Sequence, residues 1–314
     1  MDIESMLVEN AVKANACNAS PLAILATVRK LIDKNIVDMV LSMNQDYLRN
    51  NDVWYKNTKT KQLAEYFCRL GYRIEKCSGK ENISESDRTL NRLANQIFSA
   101  RNIIIKFDNK QLDFIKCIKE LANAKPDVVL ELDGLDGSEK GKVIQLCDKF
   151  QKLGWISSER TNTAIKINVL DKNKKEAKSF WNGGWAERVN RNLTIASLNE
   201  FTKQKKLKSD VFTNVQLVRI GKETDNPDMQ LDVVAVINKD RLYIFETKTG
   251  KNLGVDKWVD RARMFSLDGK SRFVTCCSDD SVPTELFRPY FLVPLSKLKE
   301  QLSKWLNSDF KENA

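Results

Sequence analysis

Histidine is absent from all 314 residues of the chain. This absence excludes Ser-His-Asp and Cys-His nucleophiles, histidine general bases, and the proteases and nucleases that bind their metal ion through histidine. Any catalysis has to use carboxylates, lysines, hydroxyl groups and oxygen-ligated metal ions. Carboxylate oxygens favour hard cations such as Mg²⁺ or Mn²⁺.

Three further patterns are missing. The seven cysteines include no CxxC pair, which excludes a zinc knuckle, and their odd number suits a reducing compartment. No apolar run approaches the roughly 20 residues that span a bilayer. The opening segment "MDIESMLVEN" lacks the basic-then-apolar pattern of a signal peptide. We therefore expect a soluble cytoplasmic protein with no membrane partner.

The chain is basic, with a formal net charge of +10. A charge of this sign fits a polyanionic partner such as nucleic acid. A lysine-rich chain that is merely soluble has the same composition, so charge alone does not decide between the two.

Alternating strand and helix patterns predict two α/β domains. In residues 1–160, apolar strands such as "NIIIKF" and "DVVLELDG" alternate with helical segments such as "KQLDFIKCIKELANA". This alternation predicts a mostly parallel, Rossmann-like sheet. Residues 161–180 are loose and rich in lysine, which indicates a linker, and residues 181–314 form the second α/β domain.

The segment "LDVVAVINKDRLYIFETKTG", residues 231–250, predicts a β-hairpin that carries charges on both strands. Glu246 and Lys248 are two residues apart on the second strand, so they share one face. A three-residue loop at 238–240 or 239–241, or a bulge, brings Asp232 of the first strand to that face. A loop of two or four residues turns Asp232 away.

These side chains have the chemistry that metal-dependent phosphodiester hydrolysis needs. Carboxylates hold a divalent ion against the phosphate, and a cation orients the attacking water. We expect Asp232, Glu246 and the Thr247 carbonyl to bind the metal and Lys248 to orient the water. The alternative is a sheet edge with a Glu–Lys pair; "EAK" at 176–178 has the same spacing in the predicted linker, without such a context.

Two predicted helices flank this hairpin. Glu187, after a Gly-Gly turn, could supply another carboxylate or support Lys248, or it could be a solvated helix charge. Lys257, Trp258 and Arg261 could hold single-stranded nucleic acid by phosphate contacts and stacking. A charged outer helix face with one core tryptophan explains the same three residues.

The pattern D-(x)13-E-T-K on paired strands resembles the PD-(D/E)xK nuclease superfamily. The hairpin together with "GGWAERV", "SRFVTCCS" and "LFRPYFLVPLSKLKEQL" is similar to the C-terminal nuclease domain of CRISPR ancillary nucleases that carry a CARF sensor domain. The similarity covers residues 181–310. It implies a restriction-endonuclease-like α/β/α domain in which Asp232, Glu246, Lys248 and Glu187 are catalytic positions.

The N-terminal half resembles the CARF domain of those proteins in "NAVKANACNASPLAILATVRKL" and "VVLELDGLDGSEKGKVIQL". The resemblance implies a Rossmann-like domain that dimerises and binds cyclic oligoadenylate across the dimer axis. A Gly-rich turn at a helix start presents backbone N–H groups to phosphate; the alternative is a simple capping loop. The implied ligand-binding residues are Asn15, Asn18, Ser20, Gly134, Gly137, Ser138 and Lys140.

Taken together, the sequence predicts a homodimeric, Mg²⁺- or Mn²⁺-dependent nuclease of antiviral defence. Its substrate is single-stranded RNA or DNA, with nicking of duplex DNA, and its activator is a cyclic oligoadenylate, cyclic tetra-adenylate in particular. One alternative is a constitutive restriction- or repair-type DNA endonuclease. The other is a non-catalytic regulator that binds nucleic acid.

Overall fold

The computed structural model describes residues 63–67, 70–79, 84–123, 127–219, 226–238, 241–249, 255–265, 271–287 and 290–310. The chain divides into two compact units, Met1–Lys76 with Gln216–Gln230, and Cys77–Val215 with Leu231–Ala314. Among the described residues of the first unit, 63–67 are helical, and the other regular structure is in strands. None of the described helices is long and apolar enough to cross a bilayer.

The helices and strands follow one another along the chain in two groups. The first group is β1 (Tyr72–Gly79), α1 (Glu85–Ser99), β2 (Ile104–Phe107), β3 (Lys110–Asp113), α2 (Phe114–Asn123), β4 (Val128–Glu131), α3 (Gly137–Lys152), β5 (Ile156–Arg160) and β6 (Ala164–Val169). The second group is α4 (Lys174–Ser179), a π-helical turn (Phe180–Gly184), α5 (Trp185–Lys205), β7 (Ser209–Arg219), β8 (Met229–Ile237), β9 (Arg241–Lys248), α6 (Val255–Phe265), β10 (Ser271–Cys277), β11 (Glu285–Phe287), β12 (Tyr290–Pro294) and α7 (Leu295–Asp309).

The smaller sheet has five strands in the order β3-β2-β4-β6-β5, and every neighbouring pair is antiparallel. The mostly parallel sheet predicted for residues 1–160 is therefore wrong for the described part of that range. Short loops explain the β2-β3 and β5-β6 pairs, because a tight hairpin enforces antiparallel pairing. Asp108 and Asn109, both with positive φ (44° and 66°), join β2 to β3, and residues 161–163 join β5 to β6.

Residues 161–180, predicted to be a linker, carry regular structure. Strand β6 pairs with both β4 and β5. Helix α4 follows after a single 3₁₀ turn and buries Ala177. This segment is thus built into the second compact unit.

The larger sheet has seven strands in the order β1-β7-β8-β9-β10-β12-β11. Strands β8 and β9 are antiparallel, β9-β10 and β10-β12 are parallel, and β12-β11 is antiparallel. Apolar residues of β8, β9 and β10 are buried on both sides of the sheet. The chain therefore has a mixed α/β architecture whose central strands are covered on both faces.

Side-chain contacts from β9 define which helices cover which face. Tyr243 donates a hydrogen bond to Asp309 of α7, and Thr247 accepts one from Asn190 of α5. Glu246 instead pairs with Arg261 of α6. Because neighbouring side chains on a strand point to opposite faces, α5 and α7 cover one face and α6 covers the other.

An aromatic cluster packs α3 and the start of β5 against the π-helical turn that precedes α5. The rings of Phe150, Trp155, Phe180 and Trp181 lie 5.1 to 5.9 Å apart between centroids. Trp155 and Trp181 are completely buried. This contact connects the smaller sheet's layer to the first residues of α5, the helix that carries Glu187.

At its C-terminal end, α7 is fastened to the larger sheet by Asp309. Arg272 Nε donates a hydrogen bond to Asp309 Oδ2 at 2.8 Å, and Tyr243 donates to the same oxygen. Burial alone would raise the pKa of Asp309, but the hydrogen bonds from Arg272 and Tyr243 outweigh it and lower the pKa.

We expect Asp309→Ala to lower the free energy of unfolding by about 3 kcal/mol, since it leaves the charge of Arg272 buried without its partner. A lowered folded pKa stabilises the protein above the ordinary pKa of about 3.9, and this contribution is lost as the pH falls through the folded pKa. Denaturant unfolding should therefore show the full difference in unfolding free energy between the wild type and Asp309→Ala at pH 7. This difference should become smaller below about pH 4. Asp171→Ala, which removes an exposed pair with Lys174, is the control and should leave stability unchanged; equal effects of the two variants would contradict the assignment.

Candidate active site

The pairing register of β8 and β9 defines the loop between them. Val233 lies opposite Phe245, and the pairing runs without interruption to Ile237 opposite Arg241. Three residues, 238–240, therefore form the loop. The odd loop that the sequence predicted is confirmed.

This register brings the charged residues of the two strands together. Continued by one residue, it sets Asp232 directly opposite Glu246, with Lys248 on the same face. Asn238, the first loop residue, has a left-handed backbone with φ 47°, a conformation that asparagine tolerates better than most residues. A loop of two or four residues would have turned Asp232 to the other face.

Asp232 is held at the end of β9. The backbone N–H of Thr247 donates a hydrogen bond to Asp232 Oδ2 at 2.7 Å. Burial raises the pKa of Asp232, although this hydrogen bond and the charge of Lys248 oppose the shift. The carboxylate is therefore fixed in position beside Glu246 rather than extended into solvent.

Glu246 lies between two cations and is only 2% exposed. Arg261 Nη1 is 3.3 Å from Glu246 Oε1, and Lys248 Nζ is 3.8 Å from Oε2. Burial raises the pKa of Glu246 to about 8, helped by the negative charge of Asp232 and against the effect of both cations. The positive charges of Arg261 and Lys248 thus offset only part of the increase in the pKa of Glu246.

Glu187 reaches the same site from the first turn of α5. Burial and the negative charge of Asp232 raise the pKa of Glu187 to about 7, against the lowering effect of Lys248. The charge of Glu187 therefore interacts with those of Asp232 and Lys248. The helix carboxylate proposed from the sequence therefore belongs to the same cluster of charges as the hairpin residues.

The Gly-Gly turn anchors the start of α5 to the end of β9. The Thr249 hydroxyl donates a hydrogen bond to the Asn182 carbonyl at 3.0 Å. A Cβ atom on Gly184 would lie 3.2 Å from the carbonyl oxygen of Ser179, closer than a comfortable contact. The turn packs this tightly because Gly184 has no side chain, and it positions Glu187 near the end of β9.

Sequence reasoning missed Asn190, which supports the site from behind. Asn190 is fully buried, and its Nδ2 donates a hydrogen bond to Thr247 Oγ1 at 2.9 Å. Its Oδ1 accepts a hydrogen bond from the Thr194 hydroxyl at 3.3 Å. The available signal was an asparagine one turn after Glu187, next to Val189 on the buried side of the helix.

The donor set suits a hard divalent cation held by few protein ligands. Within the described ranges, no group of three or more Asp, Glu, Cys or His side chains is arranged to hold a metal ion together. Mg²⁺ usually binds through one or two carboxylates, with waters and substrate phosphate completing its shell, and Asp232 with Glu246 matches that pattern. The Thr275 hydroxyl, opposite Glu246 on β10, is buried and has no hydrogen-bond partner among the described residues, as expected beside a hydrated ion.

Of the three residues predicted to contact nucleic acid, the structure describes the side chain of one. Arg261 is engaged with Glu246 and is only 16% exposed, so its contact in this structure is to the active-site carboxylate. Lys257 and Trp258 belong to α6, and their side chains lie outside what the structure describes.

The predicted ligand-binding residues also fall in two groups. Asn15, Asn18 and Ser20 lie outside the described residues. Gly134 has φ 87° in the turn before α3, and Gly137, Ser138 and Lys140 lie in the first turn of that helix. Asp136 caps this helix start by accepting the N–H of Glu139 at 2.8 Å, and Glu139 accepts the N–H of Asp136 in return. The chain's own carboxylates therefore occupy part of the helix start that was expected to meet a phosphate.

We expect Asn190→Ala to lower the free energy of unfolding by about 1–3 kcal/mol, because the buried Thr247 hydroxyl loses its donor. Asn192→Ala on the same helix removes an exposed hydrogen bond to Asn95 and should change stability by less than about 0.5 kcal/mol. Urea unfolding of both variants measures the difference. Equal losses would show that the buried hydrogen bond to Thr247 does not stabilise the strand end.

Comparison with solved structures finds similar chains, whereas the other comparisons find none. No family model and no curated protein matches the chain. Among solved structures, the chain is similar to Can2 from Sulfobacillus thermosulfidooxidans in complex with cyclic tetra-adenylate. The identity is 16% and the TM-score 0.47, over 78% of this chain and 60% of that one. The chain thus spans less than two thirds of its neighbour's length, and a likeness of this size defines neither a family nor an activity.

Proposed function

We propose that the chain is a metal-dependent nuclease that hydrolyses phosphodiester bonds in single-stranded DNA or RNA and nicks duplex DNA. The observation that carries the proposal is the three-residue loop, which sets Asp232 opposite Glu246 with Lys248 on the same face. Glu187 completes this group from α5. Carboxylates and a lysine at one strand end are the groups that this chemistry requires in a chain without histidine.

Each side chain has a distinct role in the proposed mechanism. Asp232, oriented by the Thr247 N–H, and Glu246 hold Mg²⁺ or Mn²⁺ together with the Thr247 carbonyl. The bound ion supplies Lewis acidity, which lowers the pKa of its water and offsets charge on the phosphate. Lys248, 32% exposed, faces the substrate side and orients the attacking water.

The remaining charges of the site act on these groups. Arg261 donates a hydrogen bond to Glu246 Oε1 and fixes the rotamer of that carboxylate. Glu187 interacts with the positive charge of Lys248 and directs that side chain into the site. The raised pKa values of Glu187 and Glu246 support the proposal, because a divalent cation supplies the positive charge that the cluster lacks.

Regulation by a cyclic oligoadenylate is the second part of the proposal, and it is motivated by the N-terminal sequence resemblance. Residues 1–160 act as sensor and dimerisation domain, and residues 181–314 cut. Binding of the activator, cyclic tetra-adenylate in particular, shifts a homodimer towards the arrangement in which the two nuclease sites meet nucleic acid. The role is antiviral defence.

We expect Glu246→Gln to reduce the rate of cleavage by about 10²–10³-fold or more, because the neutral side chain holds a divalent ion poorly. The assay uses labelled single- and double-stranded DNA and RNA with Mg²⁺ or Mn²⁺, and EDTA should abolish cleavage. Glu176→Gln is the matched control, since Glu176 and Lys178 repeat the E-x-K spacing on α4, where Glu176 is exposed. Cleavage that persists in Glu246→Gln would contradict the assigned site, and a wild-type protein that binds nucleic acid without cutting it would favour the non-catalytic regulator.

We expect cyclic tetra-adenylate to raise the cleavage rate of the wild-type protein by about 5- to 150-fold, the usual range of coupling between two sites. Linear tetra-adenylate at the same concentration should have no effect and is the control. Full cleavage without the cyclic compound would instead favour a constitutive restriction- or repair-type endonuclease.

A further inference from the structure

A cavity of about 450 Å³ lies where the segment after β10 meets β2 and α2, within the second compact unit. Its wall includes Ser278 and Asp279 on one side, and Ile104, Ile115 and Lys119 on the other. Sites for small organic ligands have volumes of roughly 300–1,000 Å³. The cavity is therefore of the size that holds one such molecule, a single nucleotide included.

This cavity adjoins the candidate active site. The backbone N–H of Ser278 donates a hydrogen bond to the carbonyl of Lys248 at 3.0 Å. Strands β9 and β10 are parallel, with Cys277 opposite Lys248, so both end at the same edge of the sheet. A strand of nucleic acid bound at the carboxylates can reach the cavity by crossing one strand spacing.

One cation of the cavity wall forms no ion pair with any described residue. Lys116 pairs with Asp113 at 2.6 Å, and Arg101 pairs with Asp280 at 2.8 Å. The ammonium of Lys119 makes no hydrogen bond or ion pair within the part of the chain that the structure describes. Lys119 is therefore the cation that remains to meet an anionic ligand.

The nearby acid does not neutralise this lysine directly. Asp279 Oδ1 accepts hydrogen bonds from the N–H and the hydroxyl of Ser281, at 2.9 and 2.6 Å. Burial lowers the pKa of Lys119, while Cys277, Asp113 and Asp279 raise it. A partly desolvated ammonium gains more from an incoming phosphate than a solvated one does.

An apolar wall stands beside this cation. Ile104 on β2 is 50% exposed, and it is the only large hydrophobic side chain so exposed among the described residues. Ile115 on α2 is partly buried against the core and continues the same wall. An apolar surface next to an unpaired cation suits a ligand with one flat apolar part and one anionic part.

We propose that this cavity binds one unpaired nucleotide of the substrate strand, with its base against Ile104 and Ile115 and its phosphate on Lys119. The inference rests on the proposed nuclease function and adds to it a binding site for one base of the substrate. A base in a duplex is paired and stacked, and it enters such a cavity only if it is first released from both interactions. Single-stranded nucleic acid is therefore the preferred substrate.

The test measures binding of labelled 20-nucleotide single strands by fluorescence anisotropy over a series of salt concentrations, in EDTA so that no cleavage occurs. Lys119→Gln removes one phosphate contact and should reduce the slope of log K against log salt by about 0.7. Ile104→Ser should weaken binding about fivefold, because the base loses an apolar contact, without changing the slope. Lys152→Gln, which alters an exposed lysine of α3, is the control and should match the wild type.

A second arm uses only the wild-type protein, so that it does not depend on the folding of a variant. Single strands with abasic sites should bind about fivefold more weakly than intact ones, and a duplex of equal length should bind more weakly than the intact single strand. The inference is overturned if abasic and intact strands bind equally, or if Lys119→Gln and Ile104→Ser both fold and keep the wild-type affinity and slope.

Binding and cleavage separate this inference from the proposed function. If the wild type cuts no substrate but shows the expected losses with abasic strands and with the two variants, the nuclease proposal fails and the cavity assignment stands. If the wild type cuts nucleic acid while these binding measurements show no effect, the cavity assignment fails and the nuclease proposal stands.

Discussion

The pairing register between β8 and β9 is the constraint on which the candidate site depends. Side chains alternate between the two faces of a strand, so a shift by one residue would move Asp232 to the face opposite Glu246. The three-residue loop prevents that shift, and the hydrogen bond from the Thr247 N–H to Asp232 fixes the same pairing at the strand end. Two carboxylates are thereby held side by side in a largely buried place, where only nearby positive charge makes their ionisation favourable.

Polar contacts on the other face keep that strand end in place. The hydrogen bond from Asn190 to Thr247 and the anchor of Thr249 on Asn182 join α5 to β9. Glu187 then reaches the carboxylates from the first turn of the helix. The aromatic cluster around Trp155 and Trp181 fixes the turn from which α5 starts, so that the packing of the smaller sheet's layer also determines the position of a charged residue at the site.

The sequence predicted the parts of this arrangement that depend on local patterns. Strand alternation and an odd loop were sufficient to bring Asp232, Glu246 and Lys248 to one face. The antiparallel smaller sheet was not predicted, because the two-residue turn at Asp108 and Asn109 lies inside an apparent strand–helix unit. Contacts between residues far apart in sequence, such as Asn190 with Thr247 or Ser278 with Lys248, arise from tertiary packing that no local pattern encodes.

The candidate site and the cavity lie at the same edge of the larger sheet. Strands β9 and β10 end there in parallel, with the carboxylates on one side and the cavity wall directly after Cys277. The central claim is that Asp232 and Glu246 together hold a divalent cation. Titration of Mn²⁺ into the wild type and into Asp232→Asn, followed by electron paramagnetic resonance of the free ion, tests it most directly. The account predicts one bound Mn²⁺ in the wild type and none in the variant, and equal binding by both proteins would contradict it.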